Sequence, residues 1–333
     1  MTQTFDIAII GATGTLGETL VQVLEERDFP VGTLHLLASS ESAGAAVAFR
    51  RKNVRVREVD AFDFSQVRLA FFAATPAVSV DFAGRARAAG CAVIDLAAAA
   101  GIPVLVPEVN AGQLAGLAAP LHLASPGSSA VALALLLAPL RDLLPFQHLS
   151  VTACLAVSAL GREAVTELAR QTAELLNVRP LEPRFFDRQV AFNVLPQVGK
   201  PDAAGHLALE RRLVGELREL LNMPLLKVSV SCIQVPVFFG DSFTVSLRTA
   251  APVDLARIAA ILDAAPGIER VENDDYPTPV GDAVGQDVVY VGRLRSGVDD
   301  PTELNLWATV DNVRKGGALN AVQLAELLIK DLL

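Results

Sequence analysis

Cysteine is scarce in this chain. It has three, Cys91, Cys154 and Cys232, and no pair at C-x-x-C spacing. That excludes a disulfide framework and a thiolate zinc site. The four histidines are scattered and match no metal-ligand spacing. Long apolar runs are missing too. The longest, Ala130 to Leu140, covers about 11 residues where a bilayer needs about 20. No dense Lys/Arg cluster offers a counter-charge to lipid headgroups. With 28 basic against 37 acidic residues the net charge is -9, which disfavours nucleic acid. The start, Met1-Thr2-Gln3-Thr4-Phe5-Asp6, lacks the three regions of a signal peptide. The expectation is a soluble cytoplasmic protein with no nucleic-acid and no membrane partner.

What is present is enough apolar residue to fold. The chain has 333 residues, 52% of them hydrophobic. That length suggests about two domains, and the composition excludes a disordered chain. No internal repeat or flexible linker separates them. Phe5 to Ile10 is a short apolar run, read as a buried strand. Gly11-Ala12-Thr13-Gly14-Thr15-Leu16-Gly17 follows, and then an amphipathic helix over Glu18 to Arg27. Further strand-like runs lie at Leu34 to Leu37, Leu69 to Ala73, Ala92 to Ile94 and His122 to Ala124, with helical patterns such as Ser79 to Ala89 between them. This alternation predicts a parallel sheet wound with helices.

The rest of the chain has another texture. Leu149 to Val157, Lys227 to Val237, Phe243 to Arg248 and Val288 to Leu294 read as strands. Arg162 to Leu176, Leu207 to Leu221 and Asp254 to Ala264 read as helices, as does the closing segment Gly316 to Leu333. Strands with few intervening helices predict an α+β domain.

The glycine turn sits where a dinucleotide fingerprint needs it, between a strand and a helix. It would place a pyrophosphate on the helix N-terminus, through Gly11, Thr13, Gly14, Thr15, Leu16 and Gly17. The competing reading is a tight turn with nothing bound. Ser39 and Glu41 follow the second strand, where such folds read the adenosine ribose. An acid there accepts from a free 2′-hydroxyl and repels a 2′-phosphate; the plainer reading is a solvated loop acid. Arg50-Arg51-Lys52 reads as a solvated loop, or as a clamp for a 2′-phosphate. His35 and His148 sit in apolar runs as structural histidines.

Taken together, these motifs resemble the aspartate-semialdehyde dehydrogenases over the whole chain. Besides the glycine turn, the resemblance rests on Ser42-Ala43-Gly44, Val106-Pro107-Glu108-Val109-Asn110, Ala156-Val157-Ser158 with Gly161, and Phe192-Asn193-Val194-Leu195-Pro196-Gln197. Val235-Pro236-Val237 and Asp311-Asn312-Val313-Arg314-Lys315-Gly316 through Asn320-Ala321-Val322-Gln323 complete it, in order and spacing. It implies a Rossmann-type dinucleotide-binding domain over 1–127 plus 316–333. It implies an α+β catalytic-like and dimerisation domain over 128–315, and hence a homodimer. It also implies NAD(P) at the glycine turn, with Ser158, Asn312 and Gln323 as further cofactor contacts.

That family forms a thioester on a cysteine, moves protons through a histidine and holds the substrate carboxylate with an arginine. The resemblance puts Ser128, Asp241 and Gln234 at those three positions. Leu155 stands for the family's glutamine, and Asp95 to Ala100 for a hydroxyl-rich segment with an arginine. Glu41 stands for the arginine that meets the cofactor phosphate. Glu210 and Arg212 survive as substrate-like positions. A serine is un-ionised at neutral pH and an ordinary carboxylate is a weak base, so family turnover is expected to be very low. Cys232 shares a strand face with Gln234 and could rescue the thiol. Ser128 with Asp241 and His122 could form a hydrolase trio, or Ser128 or Ser129 could simply cap a helix. Two functions follow: a catalytically inactive homologue that keeps dinucleotide binding, or an oxidoreductase of amino-acid biosynthesis that is weakly active or uses another substrate.

Overall fold

The computed structural model describes residues 3–97, 101–272 and 274–331. The chain divides into two compact units, Met1–Gly127 with Gly317–Leu333, and Ser128–Gly316. The first unit runs β1 (Phe5–Ile10), α1 (Thr15–Glu26), β2 (Val31–Ala38), β3 (Ala46–Phe49), β4 (Lys52–Glu58), β5 (Leu69–Phe72), α2 (Pro76–Ala88), β6 (Ala92–Asp95), α3 (Pro107–Asn110) and β7 (His122–Ala124). The second runs α4 (Ser128–Arg141), β8 (Phe146–Leu155), α5 (Arg162–Leu176), α6 (Ala208–Leu220), β9 (Lys227–Gln234), β10 (Asp241–Thr249), α7 (Leu255–Ala264), β11 (Ile268–Arg270), β12 (Val289–Ser296) and β13 (Glu303–Val310). Helix α8 (Asn320–Asp331) then returns to the first.

The first unit is a seven-stranded sheet in the order β3-β4-β2-β1-β5-β6-β7. All pairs are parallel except β3 with β4. Five of the six β1 residues are buried, as a central strand covered on both faces requires. On one face Ile7, Ile9 and Leu36 meet Leu20 and Leu24 of α1 and Val322 and Leu328 of α8. On the other, Ala8, Ile10 and Phe72 meet Phe82 and Ala86 of α2. This is the doubly wound α/β architecture the alternation predicts.

The second unit is a mixed six-stranded sheet, β11-β12-β13-β10-β8-β9. Along β8, Leu149, Val151, Ala153 and Leu155 are buried while Ser150, Thr152 and Cys154 are half-buried, a period of two that marks one covered face. Helix α4 is apolar nearly all round, and ten of its residues are buried. It packs against α6 and α7 and against β12 and β13.

Three elements differ from the sequence expectation. Arg50 and Arg51 are not a loose loop. They form the two-residue turn of the β3–β4 hairpin, both with positive φ, +48° and +63°. The Arg50 guanidinium donates to Phe29 O and Val31 O at the start of β2, whereas Glu41 follows the end of that strand. Strand β13 was missed, although it lies between β12 and β10. The final helix begins only at Asn320, after a wider turn over Arg314–Leu319. Among the described residues no helix is long and apolar enough to cross a membrane.

Leu133 of α4 is fully buried, so Leu133→Ala should lower the unfolding free energy by about 2–5 kcal/mol. Urea denaturation at pH 6 measures this.

Candidate functional site

In the first unit the expected cofactor residues gather at the carboxyl ends of β1 and β2, where open α/β sheets bind ligands. The three glycines of the turn are not equivalent. Gly11 has φ +84°, and a Cβ there would lie 2.5 Å from Ala73 O. A Cβ on Gly17 would lie 2.2 Å from Gly11 O. Both are imposed by the protein's own packing. A Cβ on Gly14 would meet only Gly11 O, at 3.4 Å, an ordinary contact. Gly14 is the N-cap of α1, and no side chain caps that helix. The helix therefore presents uncapped amides from Thr15 and Leu16 beside a bare backbone, which suits a phosphate. Thr13 is half-buried next to them. Ser39 and Glu41 are exposed at a short turn, Ser40–Ser42, directly after β2.

Gln323 of α8 is held by Glu108 of α3, its Nε2 donating to Oε1 at 3.0 Å. Asp95 is fully buried, and its Oδ1 accepts from Ser79 Oγ at 3.1 Å and from Ala97 N at 2.7 Å. Ala98, Ala99 and Ala100, the rest of that expected segment, lie outside the described residues. His122 Nε2 lies 3.7 Å from Asp95 Oδ2. The histidine of the hydrolase trio thus has Asp95 as its ion-pair neighbour.

In the second unit, Asp241 and Gln234 stand at neighbouring strand ends, with β8 between β9 and β10, and Ser128 reaches Asp241 from the start of α4. Leu155 pairs with Gln234 on one side, and Cys154 with Ser242 on the other. Ser128 opens α4, and its hydroxyl donates to Asp241 Oδ2 at 3.2 Å. Asp241 Oδ1 accepts from Ala156 N at 3.0 Å. The carboxyl is 1% exposed. Burial pushes its pKa up to about 7; the Ala156 and Ser128 hydrogen bonds oppose that rise, and the nearby Asp311 charge adds to it. Gly316 closes the other side, since a Cβ there would lie 2.3 Å from Ser128 Oγ.

Gln234 is 1% exposed. Its Nε2 donates to Leu155 O at 2.6 Å, while its Oε1 has no partner. Glu210 accepts from Leu207 N at 2.9 Å and from Cys232 N at 3.1 Å, tying the start of α6 to β9. Arg212 donates to Glu216 Oε1 at 2.7 Å. Asn312 donates to Ser158 Oγ at 3.0 Å and accepts from Gly240 N at 2.9 Å. Four of the expected contacts, Glu210, Arg212, Ser158 and Asn312, are therefore engaged within the protein.

The three thiols are all shifted away from ionisation. Burial pushes Cys232 up to about 12, and the Glu210 and Asp241 charges add to the rise. Cys154 is raised by burial and by Asp241, and Cys91 to about 12 by burial. Each shift disfavours the thiolate that the family chemistry needs, which weighs against a rescuing cysteine. His148 bonds Ser229 Oγ at 2.9 Å. His35 touches Arg57, and burial first, then that charge, lowers it. The structure adds partners that sequence reasoning missed, above all Ala156 N, Leu155 O and Gly316. Two are main-chain groups, and a sequence carries no signal for them.

Comparison with known proteins agrees with this geometry. Residues 6–117 match the semialdehyde dehydrogenase NAD binding domain, and 137–315 match the semialdehyde dehydrogenase dimerisation domain. A "USG-1 protein homolog" of Azotobacter vinelandii is 60% identical over 99% of both chains. "Aspartate-semialdehyde dehydrogenase 2" of Vibrio cholerae is 42% identical, again over 99% of both. The chain belongs to the aspartate-semialdehyde dehydrogenase family. A solved structure of a "probable aspartate-semialdehyde dehydrogenase" from Pseudomonas aeruginosa overlays with TM-score 0.97 at 57% identity, covering 99% of this chain and all of that one. As in that family, the first unit is a nicotinamide dinucleotide-binding domain, and the uncapped α1 terminus at Gly14 fits a pyrophosphate.

The Asp241 carboxyl gives a pH signature. A group held near 7 when folded and near ~3.9 when unfolded favours the folded state below pH 4, and that advantage is lost as pH rises through 7. Its ionisation costs up to about 4 kcal/mol. Asp241→Asn keeps an acceptor for Ala156 N without the charge. The variant should therefore gain stability relative to the parent from pH 5 to pH 8.5, read as the difference in urea midpoints.

Proposed function

We propose that this chain is a family member that binds a nicotinamide dinucleotide and self-associates but does not turn over aspartyl phosphate or aspartate semialdehyde. One observation carries the reading: the Ser128 hydroxyl is bonded to a buried carboxyl. Family chemistry needs an acyl acceptor that is ionised or has a competent base. Ser128 faces Asp241, which is buried and near half-protonated at neutral pH. Proton transfer to it would create an alkoxide beside Gly316, with the Asp311 charge nearby opposing a further negative charge. The loss expected from removing a nucleophile or its base is roughly 10⁴ to 10⁶ in rate. Gln234 adds to the loss, since an amide cannot make the bidentate, charge-assisted contact that an arginine makes with a carboxylate.

The dinucleotide part of the proposal rests on the turn at Gly14, with Glu41 positioned for a ribose hydroxyl. NAD⁺ should then bind more tightly than NADP⁺ in a calorimetric titration. Gly14→Ala should leave thermal stability nearly unchanged, because the added methyl meets only an ordinary contact, yet weaken dinucleotide binding at least tenfold. Equal binding by that variant, or no heat from either cofactor at millimolar concentration, overturns this part.

The inactivity is tested by assaying phosphate- and NADP⁺-dependent oxidation of aspartate semialdehyde before and after Ser128→Cys with Asp241→His and Gln234→Arg. The parent should give no turnover above background, and the triple variant measurable turnover. Turnover by the parent would instead favour an active oxidoreductase of amino-acid biosynthesis. Self-association through the second unit is supported by the dimerisation-domain match and by its exposed apolar side chains Leu176, Val178, Phe192 and Val194. Light scattering should give twice the chain mass.

A further inference from the structure

Four helices of this chain close with the same turn, in which an amide past the helix end donates to a carbonyl five residues earlier. The pairs are Phe29 N to Leu24 O after α1, Cys91 N to Ala86 O after α2, Arg179 N to Glu174 O after α5 and Met223 N to Arg218 O after α6. The residue before each donor is left-handed, with φ +50° at Asp28, +82° at Gly90, +54° at Val178 and +52° at Asn222. Glycine, asparagine and aspartate take that conformation readily. Valine does not, because its branched Cβ crowds the backbone. Val178 is also 93% exposed, so its methyl groups gain almost no packing in return.

Phe192 has the same two properties. Its φ is +57° and it is 65% exposed. The preceding residues hold it there. Gln171 of α5, fully buried, accepts from Val190 N at 2.8 Å and from Ala191 N at 3.2 Å, and Asn193 N donates to Val190 O at 3.2 Å. Among the described residues, Val178 and Phe192 are the two apolar side chains on left-handed backbone. The other non-glycine cases beyond Asp28 and Asn222 are arginines: Arg50 and Arg51 in a hairpin turn, and Arg293 where the β12–β13 register shifts. Gln171 lies five residues, about 8 Å, before the end of α5 at Leu176. Val178 and Phe192 therefore bracket one helix, close enough for one subunit interface to cover both.

We infer that Val178 and Phe192 are apolar anchors on which a second copy of this chain docks. The inference rests on the self-association proposed above and names its surface. Backbone strain and an exposed apolar side chain are both unfavourable in the isolated chain. A partner that covers the side chain offsets both. Two observations make the partner a second copy. The dimerisation-domain match, 137–315, contains both residues. Residues 167–194 carry four acids and four arginines, balanced in a chain of net charge -9. Such a surface can face its own image across a two-fold axis without like-charge repulsion.

The test exploits the strain. Asparagine suits left-handed backbone, so Val178→Asn with Phe192→Asn should leave the fold intact while removing both anchors. Sedimentation equilibrium of the full chain should give a dimer for the parent, and a dissociation constant at least tenfold higher for the double variant. Val298→Asn is the control. Val298 is 100% exposed but has no positive φ, so its replacement should leave the dissociation constant unchanged. The double variant should keep the parent's circular dichroism. Should it fail to fold, hydrogen exchange in the parent decides: amides within 176–194 should exchange more slowly in the dimer than in the dilute monomer. A parent that is monomeric at every concentration refutes the self-association reading, and this inference with it. A dimeric parent whose double variant associates equally well, whose control weakens as much, or whose 176–194 amides are indifferent to dilution overturns this inference alone.

Discussion

A carboxyl group taken out of water without a cation must be held by hydrogen bonds or be neutral, and Asp241 uses both routes. Its two oxygens receive a hydroxyl from the first turn of α4 and a main-chain amide from the residue after β8. Its own position opens β10. Three elements of the second unit thus converge on one group. A histidine in that place would offer a donor and an acceptor and could cycle its proton near neutral pH. A carboxyl in the same place makes a joint. The Ser128 hydroxyl becomes a structural donor, and Gly316, which leaves no room for a Cβ beside it, keeps it there.

Two carboxylates bear on that joint. Asp311 lies close enough to raise Asp241, and Asp241 in turn raises Cys154 and Cys232. Each effect opposes an anionic intermediate. Thioester chemistry needs the opposite, a setting that stabilises a thiolate and then an oxyanion. The replacements therefore act together. Restoring a cysteine alone would set a thiol against a carboxyl that disfavours its ionisation, which is why histidine and arginine belong in the same variant.

Much of the fold was legible because it depends on local pattern. The run Phe5–Ile10 and the helix Arg162–Leu176 have the bounds the sequence suggests, one by continuous apolarity and the other by a 3.6-residue period. The β3–β4 hairpin was not legible, because its polar, arginine-rich strands resemble a solvated loop until Arg50 is seen bonding the carbonyls at the start of β2. Strand β13 was missed because Glu303, Asn305 and Thr309 interrupt its apolar positions, and only pairing with β10 and β12 decides it. At the site, motif order singled out Ser128, Asp241 and Gln234. Their chemical states could not be read from it. Protonation of Asp241 depends on burial contributed by distant segments, and the orphaned oxygen of Gln234 depends on where its own nitrogen found a carbonyl.

The two halves of the family's machinery differ in what they are made of, and this bears on what can be lost. The dinucleotide turn is main chain: amides at the start of α1, and glycines of which two are fixed by contacts with Ala73 and with the turn itself. Replacing Gly11 or Gly17 would disrupt the sheet-to-helix connection whether or not a ligand binds. Their presence is therefore weak testimony for a cofactor. Gly14 is different, because the protein has room for a side chain there and the helix it caps has no other capping group. The acyl-transfer site is made of side chains that the fold does not need, so serine, aspartate and glutamine can fill it and even brace it. The architecture of the family, and a helix terminus suited to its cofactor, therefore place no demand on which side chains fill the acyl-transfer positions.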